Sequence, residues 1–175
     1  YCDESVDHFH WVTKQGIPFN NGFWKSKHYE QPTDDCLIWS GNEKAWPVSE
    51  KALAAPRGHK VEHVGSEGGA IVMKNFTSVA EKLGVVFQQD ANVQNLVADA
   101  SGSIVGVRYT HFKEERYVKA TKGVVIAAGG FAMNQAMLDT YCPKLAQQGV
   151  VKQGNPNDDG AGINMGIAAG GVAEH

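Results

Sequence analysis

Along this chain the spacing of apolar residues changes period several times, and each change predicts an element. From Ala70 to Leu83 apolar side chains recur at Val72, Phe76, Val79, Ala80 and Leu83, the three- and four-residue steps of one helix face. Ser66 is placed to cap this helix and Gly84 to stop it. Val85 to Phe87 then reads as a short strand. Asn92 to Ala98, Ile104 to Tyr109 and Arg116 to Ala120 read as three more, the first two joined by the turn Asp99-Ala-Ser-Gly102, which makes an antiparallel meander. Val124 to Ala128 is continuously apolar, the pattern of a strand buried on both faces. Before these elements a helix is predicted over Val6 to Gln15, capped by Ser5 and stopped by Gly16. After them come a short helix over Asn134 to Tyr141 and a glycine-rich one over Gly162 to Ala169. The former ends before Cys142-Pro143, because a residue that precedes proline avoids the α region. Residues 17 to 64 are loop-rich in Trp, Pro, Asn and Asp, and no internal repeat is present. The order is that of an α/β domain.

The chemistry concentrates where the last strand meets glycine. Lys122-Gly-Val-Val-Ile-Ala-Ala-Gly-Gly-Phe131 runs a Val/Ile strand into Gly129 and Gly130, and Asp158-Asp-Gly-Ala-Gly162 opens a second glycine-rich stretch. Residues without Cβ atoms at a strand end permit close approach to the backbone. In open α/β sheets, ligands sit beyond the carboxyl ends of the strands. A nucleotide cofactor against Ala127, Ala128, Gly129 and Gly130 follows; a tight strand-to-loop turn is the other reading of the same residues.

Composition narrows the classes. Glycine stands at 20 of 175 residues, or 11% against about 7% in average proteins, without a low-complexity tract. Sixteen dispersed basic residues and a net charge of −3 give no footprint for nucleic acid. No apolar run approaches the 18 or so residues of a membrane span. Cys2, Cys36 and Cys142 are widely spaced and odd in number, neither a redox pair nor a zinc set, so a reducing, cytoplasmic setting is expected. No metal site is expected: His8 and His10 fall on different faces of their helix. The chain opens on Tyr1 rather than Met and closes just past the last helix, and it is expected to be a segment of something longer.

Four motifs in register resemble the FAD-binding part of the fumarate reductase/succinate dehydrogenase flavoprotein superfamily, in particular its 3-ketosteroid dehydrogenase branch. They are Ala55-Pro-Arg-Gly-His-Lys60 followed by Gly65-Ser-Glu-Gly-Gly69; Asn92-Val-Gln-Asn-Leu-Val97 with its turn and Ile104-Val-Gly-Val107; Gly123 to Phe131; and Asp158 to Gly166. Ser40-Gly-Asn-Glu43 is similar to the steroid branch. The resemblance implies a partial FAD-binding, Rossmann-like domain carrying the three-stranded meander. The G-x-G-x-x-G unit that opens such domains does not occur in these residues; Gly160-x-Gly162-x-x-x-Gly166 has another spacing. The implied organisation is a loop-rich segment over residues 1–64, a FAD-binding core over 65–131, and a connection with the glycine-rich helix over 132–175.

The same resemblance implies site residues. Val93 would meet adenine through its main chain, or else is an ordinary strand residue. Asp159 and Gly160 would lie beside the flavin, with Asp159 also explicable as a helix N-cap; Asp-Asp-Gly stands here where the family often has Gly-Asp-Gly. Arg57, His59 and His63 could supply cations to a carboxylate substrate or to reduced flavin, or be solvated loop residues. Trp24, Tyr29, Trp39 and Trp46 could line a substrate entrance or form a satellite cluster. Tyr29 and Tyr141 are the tyrosines considered for proton chemistry, and the catalytic residues are expected elsewhere.

The implied activity is FAD-dependent oxidation of a CH–CH bond in a 3-ketosteroid or similar enone. A base would take an α-proton while flavin accepts a hydride, the protein supplying alignment and charge stabilisation. A fumarate- or urocanate-type reductase and a non-catalytic FAD-binding fragment are the alternatives. The partner is a small-molecule substrate; the electron acceptor is unassigned.

Overall fold

Helix α1, Ser5–Lys14, forms one position earlier than the periodicity predicts. Ser5 is its first residue, not its cap, and its hydroxyl donates to the Cys2 carbonyl at 2.9 Å. Gly16 ends the helix as expected, with φ +87° and its amide on the Thr13 carbonyl. The structure, a computed structural model, describes residues 2–26, 30–39, 41, 43–149 and 151–173. Tyr29, and Ser40 and Asn42 of the Ser-Gly-Asn-Glu motif, lie outside the described residues. The chain divides into two compact units, Tyr1–Phe87 and Gln88–His175.

In the first unit two strands too short for periodicity to reveal, β1 (Leu37–Ile38) and β2 (Gly58–His59), pair antiparallel, with the single-turn helix α2 (Val48–Lys51) between them. Ile17, Cys36 and Val61 form the buried centre. Asn20 stitches the loop over it: its Oδ1 accepts from the amides of Gly22 and Cys36, and its Nδ2 donates to the Asp34 carbonyl at 2.9 Å. Helix α3, Gly69–Lys82, matches the predicted span within one residue. Gly84, φ +82°, closes it in a Schellman turn, with Gly84 N–H on Glu81 and Val85 N–H on Ala80. Ser66 does not cap it; its hydroxyl donates to Glu30 Oε1 at 3.0 Å.

In the second unit β3 (Ala91–Ala98), β4 (Ile104–His111) and β5 (Glu114–Lys119) build the expected meander in the order β3-β4-β5. Gly106 in β4 is buried, and only glycine fits there, since a Cβ would lie 2.3 Å from the Val118 carbonyl oxygen of β5. The first hairpin is held by Asp99, whose Oδ1 accepts from the Ser101 amide, the Ser101 hydroxyl and the Ser103 amide at 2.8, 2.6 and 3.1 Å. The second turns at Phe112 and Lys113, both at positive φ. Strand β5 begins two residues before the predicted Arg116, and within it Glu114 pairs with Arg116 at 2.7 Å. Among the described residues the unit also holds α4 (Gln135–Tyr141), α5 (Pro143–Gln147, with Pro143 at the first position) and α6 (Ala161–Ala168).

Two predicted strands differ. Val85–Phe87 and Val124–Ala128 carry no ladder pairing among the described residues, and the second is not buried: Val125 is 91% exposed and Val86 of the first 89%. Continuous Val/Ile runs suit a parallel sheet. A strand, however, exists only where a neighbour supplies the hydrogen-bonded ladder, and none of the described strands adjoins these runs.

Candidate functional site

In the second unit the glycine-rich segments meet. The Gly160 amide donates to the Gly130 carbonyl at 2.9 Å and the Met133 amide to the Asp158 carbonyl at 2.9 Å. The Asn134 carboxamide donates to the Asp159 carbonyl at 2.7 Å. Three bonds thus join residues 130–134 to residues 158–160, so five of the seven candidate residues (Ala128, Gly129, Gly130, Asp159 and Gly160) share one corner of the fold or its immediate border.

The reasons for its glycines separate. Gly129 has φ +77°, and a Cβ on it would lie 2.4 Å from Asp158 Oδ1. Gly160 has φ +78°, and a Cβ would fall 2.2 Å from Met137 Sδ and 3.0 Å from Phe131 Cβ. Gly162 lets α6 pass over the preceding segment, for a Cβ there would sit 2.8 Å from Ile126 Cγ2 and 2.9 Å from Ala128 Cβ. Each is required by the protein's own packing or backbone. Gly130 is not: an added Cβ meets nothing within 4 Å, and the residue is exposed. Ala127 and Ala128 beside it are also exposed. This is a bare backbone surface with room for a flat, bulky group, the property a bound dinucleotide requires.

Asp159 is not the N-cap of α6. Gly160, in the left-handed conformation, holds that position, and Asp159 stands one residue before it with Oδ1 accepting from the Ala161 amide at 2.8 Å. The physical reason is the turn: Gly160 adopts a φ closed to most residues and takes the cap position itself, and α6 begins one residue before the predicted Gly162. Asp159 remains exposed at the helix's electropositive end.

Val93 lies on β3, an edge strand, so alternate main-chain groups of that strand point away from β4. Val93 pairs with Tyr109 and Asn95 with Arg108, leaving Gln94 as the extra residue of a bulge. Val93 also lines a cleft of about 900 Å³, shared with Leu96, Arg108, Ala161, Asn164 and Met165. Arg108 there is held by Asn95 Oδ1 and by Glu115 Oε2, the latter at 2.5 Å. The Tyr117 hydroxyl, then Arg108, hold the Glu115 carboxyl below the usual carboxylate range, and the same bond pushes the Tyr117 phenol up.

In the first unit Arg57 is exposed, the His59 ring packs 4.3 Å from Phe9, and His63 keeps a buried Nδ1 without a hydrogen-bond partner among the described residues. Trp39 packs edge-on against Phe23 beneath the Lys44 ammonium, whereas Trp46 stands 77% exposed. In the second unit Tyr141 lies edge-on to Phe131. Sequence reasoning missed Asn134. Its only signal was an Asn at the first position of the predicted helix 134–141, which the structure makes the cap of α4.

The FAD binding domain family matches residues 1–175. A solved structure, 3-ketosteroid-Δ4-(5α)-dehydrogenase from Rhodococcus jostii RHA1 in complex with 4-androstene-3,17-dione, superposes with a TM-score of 0.90 at 39% identity, covering 97% of this chain and 36% of that one. The 3-oxosteroid 1-dehydrogenase of Comamonas testosteroni is 33% identical over 89 residues, 51% of this chain and 15% of the relative. The urocanate reductase of Eggerthella lenta is 31% identical over 117 residues, 64% of this chain and 19% of the relative. The chain therefore spans under a fifth of these curated relatives and about a third of the solved neighbour. No helix among the described residues is long and apolar enough to cross a membrane. Bare glycine backbone, meander and end-to-end family match agree: the chain belongs to the FAD-binding domain family of fumarate reductase/succinate dehydrogenase-type flavoproteins, and its cofactor is FAD.

Proposed function

We propose that this chain is the FAD-holding part of an oxidoreductase that dehydrogenates a CH–CH bond of a 3-ketosteroid or a similar cyclic enone, in the cytoplasm. The observation that carries the cofactor's placement is Gly130, exposed, unobstructed and hydrogen-bonded to Gly160. Ala127, Ala128, Gly129 and Gly130 offer a surface free of protruding side chains, Asp159 and Gly160 border it, and Val93 offers edge-strand main chain to the adenine. When bound, FAD supplies the hydride acceptor. The chain's own residues contribute binding and orientation: small side chains admit the group, and main-chain donors and acceptors fix its position. No proton-transfer role is assigned to residues 1–175. The steroid class is supported by the likeness to the Rhodococcus enzyme over 97% of the chain.

The urocanate reductase relative aligns with more of this chain than does the Comamonas steroid enzyme, which supports a dicarboxylate- or urocanate-type reductase as the second reading. One experiment separates them. The full-length protein, purified with FAD, is titrated anaerobically with 3-ketosteroids while the visible flavin band is followed. Bleaching by a steroid supports dehydrogenation. Indifference to steroids, with re-oxidation by fumarate or urocanate after dithionite, supports the second reading. A colourless protein that gains no absorbance from added FAD refutes both.

A further inference from the structure

We propose that Asn134 is a positioning residue for the cofactor: its carboxamide locks the Asp159-Gly160 turn against the Gly129-Gly130 turn and so sets the surface on which the dinucleotide lies. The inference rests on the placement of FAD proposed above. Asn134 does two things at once. Its Oδ1 caps α4 by accepting from the Met137 amide at 3.1 Å, and its Nδ2 donates across 25 residues of sequence to the Asp159 carbonyl at 2.7 Å. Capping alone needs only an acceptor, which Ser, Thr or Asp supplies equally well. The donor half is therefore the part that a cap does not explain, and it ends on the residue that directly precedes the N-cap of α6.

Both neighbours of that bond are main-chain bonds between the same two segments, Met133 to Asp158 and Gly160 to Gly130. Main-chain bonds fix register but leave the segments free to hinge about the line joining them. A third bond from a side chain rooted on a helix with a buried face, Met137 and Leu138, removes that freedom. The Met137 sulfur, next to the Gly160 Cα, keeps the turns from collapsing further. Asn134 pulls the turns together while Met137 props them apart, and the bare Gly130 backbone is presented at the resulting spacing.

Asn134→Ser tests this in the full-length protein. Serine keeps a helix cap but cannot reach Asp159. The expected result is an apoprotein melting within about 3 °C of wild type. Amide hydrogen exchange at Gly160 and Met133 should be at least tenfold faster, and the FAD dissociation constant about tenfold higher. Asn134→Asp, which also keeps the cap and turns an acceptor toward the Asp159 carbonyl, should weaken FAD at least as much; it stands in if the serine variant fails to fold. Wild-type affinity in either variant, or affinity lost only in step with melting temperature, would overturn the proposal. Exchange at Gly160 and Met133 is read without cofactor, so unchanged exchange overturns the lock even if wild type holds no flavin. Wild type without flavin overturns the placement of FAD instead.

Discussion

Two glycines 30 residues apart, joined by one hydrogen bond, should respond oppositely to the same methyl group. At Gly160 a Cβ would sit 2.2 Å from Met137 Sδ and 3.0 Å from Phe131 Cβ, on a residue whose φ is +78°. A left-handed alanine costs about 1–2 kcal/mol. Overpacking adds about 1–3 kcal/mol. Gly160→Ala is therefore expected to destabilise by about 2–5 kcal/mol, read as a lower Tm. At Gly130 the Cβ meets nothing within 4 Å and no left-handed φ stands in the way. Gly130→Ala should leave the apoprotein within about 0.5 kcal/mol of wild type. If FAD lies on Gly130, the methyl must intrude on it, at about 1–3 kcal/mol, or roughly 5- to 150-fold in dissociation constant. Thermal melts of the apo full-length proteins and FAD titrations followed by flavin fluorescence give both numbers. A Gly130→Ala protein that binds FAD with wild-type affinity would refute the placement, whatever Gly160→Ala does to stability.

Other outcomes follow from single contacts. Gly106→Ala drives a Cβ to 2.3 Å from the Val118 carbonyl oxygen, main chain that cannot rotate aside, and should cost at least about 1–3 kcal/mol in a denaturant melt. Leu138→Ala empties a site only 7% exposed and should cost about 2–5 kcal/mol, read the same way. The Asp99 carboxyl is held below the usual carboxylate range by the Ser101 hydroxyl first, then by the Ser101 and Ser103 amides. A depressed carboxyl stabilises its loop above the unfolded pKa, about 3.9, and that contribution is lost as pH falls from there through the lower folded value. Protection of the Ser101 and Ser103 amides, relative to an unstructured amide at the same pH, should fall across that window in wild type and be low at every pH in Asp99→Ala. A loop that loosened only above neutral pH would refute the assignment.

Much of the fold was legible because the decisive forces are local. The helix 70–83, its Gly84 stop and the Asp99-Ala-Ser-Gly turn depend on residues at most five apart, and α3, its Schellman turn and the β3–β4 hairpin appear within a residue or two of expectation. Caps were less legible: Ser5 and Ser66 are suitable residues, but their hydroxyls donate to Cys2 and Glu30 and, among the described residues, accept from no helix amide in the cap position. The cofactor class was legible through the resemblance of four motifs to a flavoprotein family, whereas the bare residues after the apolar run left a tight turn as a second reading.

What the chain's order of residues determined alone is thus the helices and the meander, each written in a short local pattern, while the kind of ligand came from the motifs' likeness to a flavoprotein family. Tertiary structure decided the rest. It left Val85–Phe87 and Val124–Ala128 without a ladder, because a strand's partner is distant in sequence. It moved Asp159 off the cap, and it showed that Gly160 is small for Met137 whereas Gly130 is small for nothing in the protein. It also gave Asn134 a carbonyl 25 residues away to hold. Which atom a missing side chain would strike, and which acceptor a carboxamide reaches, are settled only once distant segments have folded against each other.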